Sequence, residues 1–136
     1  MSGFFIAYGA AALVFLVLDV MWLTVMIDRV YRPGIGHLML DRPNLAAAVP
    51  FYLLYVAGIV VFAALPGMRA QDWTMALWLG ALLGLFAYGT YDLTNLATLR
   101  GWSVSVSIID MVWGSVVTAA AATAGMAAAS WLSRAA

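Results

Sequence analysis

Three carboxylates sit inside apolar stretches of this 136-residue sequence: Asp19, Asp92 and Asp110. Each has polar or aromatic partners at helical spacing. Trp22 is three residues after Asp19, Tyr88 is four before Asp92, and Asn95 is three after it. Ser107 is three before Asp110 and Trp113 is three after it. Residues three or four apart share a helix face. Tyr52 and Tyr55 lie in a further apolar stretch. Carboxylates beside phenols and an amide can hold a cation, exchange a proton or grip a polar headgroup. Tyr and Asp can also act as acid and base. An indole N–H only donates, so Trp22 and Trp113 suit a buried carboxylate, directly or across a helix interface.

The rest of the composition says where these groups must work. Hydrophobic residues make up 66% of the chain and charged residues 9%, against ~25% charged in soluble domains. So few polar groups cannot cover the surface of a soluble fold, and the chain reads as an integral membrane protein. All six basic residues are Arg and all six acidic residues are Asp, giving a net charge of zero and no basic footprint for nucleic acid. Cysteine is absent, which excludes disulfides, thiolate ligands and a Cys nucleophile. Lysine is absent, which excludes a Schiff base. The one histidine, His37, cannot build a His-rich metal or bis-His haem site. No metal site is assigned, and the cofactor is unknown.

Four spans of at least ~20 apolar residues position the carboxylates. They run over about 3–27, 45–65, 73–99 and 103–132 in one domain. No Lys or Arg precedes the first run, so it reads as a retained helix and not as a secretory signal. Pro33, Gly34, Gly36 and Pro43 mark 28–44 as a polar hinge, and Pro66-Gly67 and Arg100-Gly101 end the second and third spans. Asn44 and Ser103 are the expected N-caps. Short turns make the bundle antiparallel. Arg29, Arg32, Arg42 and Arg100 against Arg69 and Arg134 place loops 28–44 and 100–102 in the cytoplasm of a bacterial inner membrane. Trp73, Trp78, Trp131, Trp102 and Tyr31 fall near span ends, as headgroup-level anchors do. Gly80, Gly84 and the Ala-rich fourth span allow close helix contact. Packing within the bundle is the preferred reading of this seam, with a homodimer interface or a larger complex as the alternative.

The antiparallel topology brings the polar groups level. Asp19, Asp92 and Asp110 each lie seven or eight residues from the same end of the bundle, about 10–12 Å deep. Tyr52 and Tyr55 reach about 10–15 Å. Each Asp at a helix centre costs roughly 2.5–3.5 kcal/mol to insert. An intramembrane ionisable residue is therefore a functional candidate by default. Clustered carboxylates repel, so a shared proton, a cation or a ligand headgroup is expected among them. The competing reading is a closed hydrogen-bond network that only sets helix register.

The strings Tyr91-Asp92-Leu93-Thr94-Asn95-Leu96-Ala97-Thr98, Asp110-Met111-Val112-Trp113-Gly114, Asp19-Val20-Met21-Trp22 and Pro50-Phe51-Tyr52-Leu53-Leu54-Tyr55 resemble a family of small bacterial membrane proteins, domain of unknown function 2177 (DUF2177). The resemblance covers nearly the whole chain. It implies an all-α, four-helix membrane protein and supplies no activity, ligand or catalytic residue.

The leading functional reading is binding or transport of a cation, proton or lipid headgroup at a site built from Asp19, Asp92, Asn95, Asp110, Tyr52, Tyr55, Tyr88, Trp22 and Trp113. His37 and Arg42 are outside candidates for headgroup contact, and His37 reads first as a solvated loop residue. The alternatives are an accessory subunit of a membrane complex and a lipid-modifying enzyme. The enzyme is disfavoured because the Asp residues are dispersed one per helix, not clustered to hold Mg²⁺.

Overall fold

Long uninterrupted apolar sequence between three short breaks yields four helices, each long and apolar enough to cross a membrane. The computed structural model describes residues 2–135. The helices are α1 (Ser2–Leu38), α2 (Leu45–Ala70), α3 (Trp73–Thr98) and α4 (Val104–Ala135), and no strand occurs among the described residues. The expected all-α, four-helix membrane bundle is what forms.

α1 is longer than its apolar run. The expected hinge begins at Asp28, yet the chain stays helical to Leu38. The reason is a widened π turn at Ile27–Tyr31, closed by the Arg32 N–H on the Ile27 carbonyl. Pro33 follows at once. A proline ring crowds the carbonyl four residues back and offers no N–H; here that carbonyl belongs to Arg29, inside the wide turn. α2 repeats the device. Its π turn at Val60–Ala64 closes through the Leu65 N–H on the Val60 carbonyl, just before Pro66. α2 therefore continues to Ala70 and ends at Gln71, whose φ of 52° is left-handed. Both proline signals were expected to break the helix, and both are absorbed by a local change of hydrogen-bond register.

The remaining ends are set by caps. Ser103 Oγ accepts the Val106 N–H at 3.2 Å. Asn44 occupies the expected cap position of α2 without a side-chain bond; its backbone carbonyl takes Ala47 and Ala48. Asp72, not anticipated, caps α3 by accepting the Thr74 N–H at 2.9 Å and its hydroxyl at 2.6 Å. Gly101, with φ of +73°, turns the chain from α3 into α4.

α4 lies along both α1 and α3, and small residues are what let it. A Cβ on Gly84 would strike the Gly114 carbonyl, and one on Gly80 would meet Ala119 and Ala122 at 2.9 Å. A Cβ on Gly125 would stand 2.8 Å from the Ala7 carbonyl oxygen. The Gly80–Gly84 seam is thus consumed inside the chain. Packing within the bundle, the preferred reading of that seam, is what the glycine contacts show. The core is correspondingly fine-grained, with Ala7, Ala11, Ala63, Ala76, Ala121 and Ala122 packed around Phe15, Ile59 and Val117. Phe5, Leu54, Phe62, Phe86 and Val112 face outward. In water such a surface would drive association; in lipid it is the solvated face.

α2 is the loosest member. Residues 45–54 are exposed apart from Ala48. That half of α2 stands off the bundle and leaves a space on either side of Tyr52.

Candidate functional site

The groups from α1 and α4 meet near the end that carries the loops after α1 and α3. Trp22 and Trp113 stack there, ring centroids 4.3 Å apart and planes 6° from parallel. Their N–H groups run crosswise. Trp113 Nε1, from α4, donates to Asp19 on α1 at 3.2 Å. Trp22 Nε1, from α1, donates to the Tyr31 hydroxyl at 2.9 Å, and Tyr31 donates to Asp110 on α4 at 2.6 Å. Each carboxylate is therefore served from the opposite helix and not by the Trp on its own face. Tyr52 of α2 completes the Asp19 shell, donating at 3.0 Å.

Asp92 of α3 stands apart from this. It is 0% exposed, and neither of its oxygens meets a donor. Its neighbour is another acceptor, the Asp110 carboxyl. A buried acceptor left without a donor is costly, on the order of 1–3 kcal/mol or more when charged. The three-carboxylate layer thus divides into a pair, Asp92 with Asp110, and a separately bonded Asp19. Among the described residues no group of three or more His, Asp or Glu converges to hold a metal.

Two cavities of about 260 Å³ each flank Tyr52. One lies between α2 and the α3–α4 face. It is lined by Phe51, Tyr52, Tyr55, Tyr88, Tyr91 and Asp110. The other lies between α1 and α2, with Asp19, Phe15, Val49 and Tyr52 in its wall. Both are framed by the half of α2 that stands off the bundle. Tyr88 reaches the first cavity because its ring lies flat on Gly114, where a Cβ would overlap it.

Several expected members take other places. Tyr55 bonds Thr118 at 2.9 Å and not a carboxylate, though its ring lines the first cavity. Asn95 is half-buried, and among the described residues its side chain has no hydrogen-bond partner. The threonines of the same string, and Thr90 just before it, turn outward: Thr90, Thr94 and Thr98 bond back to the carbonyls of Phe86, Thr90 and Thr94. His37 is exposed and packs against the α3–α4 turn, with Nε2 2.8 Å from where a Gly101 Cβ would sit. Arg42 is exposed, and the ion pair observed, Arg32 with Asp28, is on the surface. Such a pair adds little.

Two expected anchors are network members instead. Tyr31 bridges Trp22 and Asp110, and Trp102 Nε1 donates to Ser107 at 2.9 Å. The signal for Tyr31 was a phenol in a stretch that continues the helical period past Asp28. The breakers Pro33, Gly34 and Gly36 masked it. Trp73, Trp78 and Trp131 do face outward, at 57–68% exposure, as interface anchors should.

These features define a multi-pass membrane protein built as a four-helix bundle with a buried carboxylate pair. The chain belongs to the DUF2177 family, described as "Predicted membrane protein", whose match spans residues 4–127. Every carboxylate, Trp and Tyr of the site lies within that span. No curated protein and no solved structure matches the chain.

Proposed function

We propose that the chain binds a small cation, or a cationic headgroup, at the Asp92–Asp110 pair and in the cavity before it. One observation carries this: Asp92 is wholly buried, lacks any donor, and abuts a second carboxylate that opens onto a cavity. A network that served only helix register would pair its acceptors, as it does at Asp19. Uncompensated carboxylates near the bilayer centre mark ion and ligand sites. Four helices are few for alternating access, so the reading is binding by the single chain.

The Arg distribution supports an orientation with loops 28–44 and 100–102 in the cytoplasm of a bacterial inner membrane. The carboxylate pair then sits in the inner half of the bilayer.

The test is heat unfolding in neutral detergent with sodium, potassium and an alkylammonium salt, for wild type and Asp110→Asn. A ligand at a hundred times its Kd stabilises by about 2.7 kcal/mol. A cation that raises the wild-type midpoint and leaves Asp110→Asn unmoved supports the reading. If no cation moves the wild type while Asp92→Asn loses stability, the carboxylates are structural and the reading fails.

A further inference from the structure

The first cavity has a chemistry of its own. Five aromatic rings surround it, Phe51, Tyr52, Tyr55, Tyr88 and Tyr91, with one carboxylate, Asp110. The rings pack in a continuous cluster from α2 to α3. Phe51 and Tyr55 stack at 5.8 Å with 17° between planes, while Tyr55 and Tyr88 meet at 66° and 6.3 Å. Ring faces carry negative quadrupole density and attract cations within about 6 Å. The Tyr52 hydroxyl is given to Asp19 and the Tyr55 hydroxyl is engaged with Thr118, which leaves Asp110 and the Tyr88 and Tyr91 hydroxyls, too few oxygens to replace the water of a bare alkali ion. A primary ammonium has three N–H groups and would need three acceptors. An alkylated ammonium needs one or none, and its methyl groups suit apolar walls. Aromatic boxes closed by an acid are how such ions are held in water-excluded sites.

Access points the same way. The cavity lies beside the half of α2 whose residues 45–54 are nearly all exposed to the lipid side. Phe51 itself is 55% exposed. A ligand with an apolar tail can enter sideways from the bilayer and leave that tail there.

We propose that the cavity before Asp110 is an aromatic cage for a tertiary or quaternary alkylammonium group. The proposal rests on the binding reading above and narrows it to one ligand class. Asp110 supplies the counter-charge, and the five rings supply the cage.

Calorimetric titration of the purified full chain in neutral detergent tests it. The probes are dodecyltrimethylammonium, dodecylammonium and tetramethylammonium, each against wild type, Phe51→Leu and Asp110→Asn. Phe51→Leu keeps an apolar wall and removes one ring at an exposed position, so it bears on the cage without disturbing the core. The expected result is at least tenfold tighter binding of dodecyltrimethylammonium than of dodecylammonium. Phe51→Leu should weaken the trimethylammonium probe three- to tenfold, and Asp110→Asn should abolish its binding. Equal affinity for tetramethylammonium assigns a soluble ligand; binding that needs the dodecyl chain assigns a membrane-borne one, and both support the cage. Preference for dodecylammonium, with no effect of Phe51→Leu, overturns the cage and keeps the carboxylate site. Binding of neither probe in an Asp110-dependent way overturns both. Should Asp110→Asn not fold, the Phe51→Leu comparison alone decides.

Discussion

The indole of Trp22 lies parallel to that of Trp113 at 4.3 Å, and their N–H groups lead to opposite carboxylates, one directly and one through a phenol. Trp113 reaches Asp19, and Trp22 reaches Asp110 through Tyr31. The stack therefore ties α1 to α4 by two polar links and one apolar face. Offset aromatic pairs add about 0.5–1.5 kcal/mol beyond area burial. Interhelical hydrogen bonds in membranes average only about 0.6 kcal/mol, because the inserted but unassembled chain also finds partners.

The crossed links make unequal predictions. Tyr31→Phe removes the donor to Asp110 and the acceptor of Trp22 at one stroke. Tyr52→Phe removes one donor of two at Asp19. Tyr31→Phe should cost about 1–2 kcal/mol and Tyr52→Phe less than about 1 kcal/mol, on the scale of charged hydrogen bonds discounted for the bilayer. Denaturation in mixed micelles measures both. Equal losses would mean that Tyr31 does not bridge the two residues.

The glycine seam separates close approach from mere helix composition. Gly84→Ala drives a methyl into the Gly114 carbonyl, a backbone atom that cannot swing aside. Overpacking of this kind costs about 1–3 kcal/mol. Gly9→Ala on α1 meets nothing within 4 Å and should be neutral or slightly stabilising. Melting curves of the two variants should therefore diverge in sign or nearly so.

Asp72 carries a pH dependence outside the spans. The Thr74 hydroxyl and backbone N–H hold its carboxyl below the ordinary value of 3.8. A depressed folded value means that the cap stabilises α3 above the unfolded value and is lost as pH falls through the folded one. Asp72→Ala should lower the unfolding midpoint at neutral pH. The gap between variant and wild type should close on acidification below 3.8. A gap that stays constant down to strong acid would rule out an ionised cap.

Orientation can be read directly, because the chain has no cysteine. Arg100→Cys and Gln71→Cys place single thiols at opposite ends of α3. In intact spheroplasts a membrane-impermeant maleimide should label Gln71→Cys and spare Arg100→Cys. The reverse pattern would invert the proposed topology. Arg100→Cys leaves five Arg in the chain and Gln71→Cys leaves six, so the Arg100→Cys result should be repeated at Leu99 with Arg100 kept.

Hydropathy and spacing alone settled the four helices, the level of the three Asp residues and the small-residue contact faces. These follow from a helical rise and period that hold in any bundle. Spacing put Trp22 and Trp113 three residues after an Asp, but whether each would serve its own carboxylate or its neighbour's depends on how two helices rotate against each other. That rotation is set by Gly125 against Ala7 and Gly84 against Gly114, and no local signature says which small residue meets which. The division of three carboxylates into a pair and a singleton has the same origin. Tyr31 was hidden for a different reason. Pro33 forbids an ordinary turn, and only the tertiary fold, by bonding Tyr31 to Asp110, gives a π turn at Ile27–Tyr31 something to hold. Depth is a property of the chain; partner choice is a matter of tenths of an ångström between helices, which only their packing fixes.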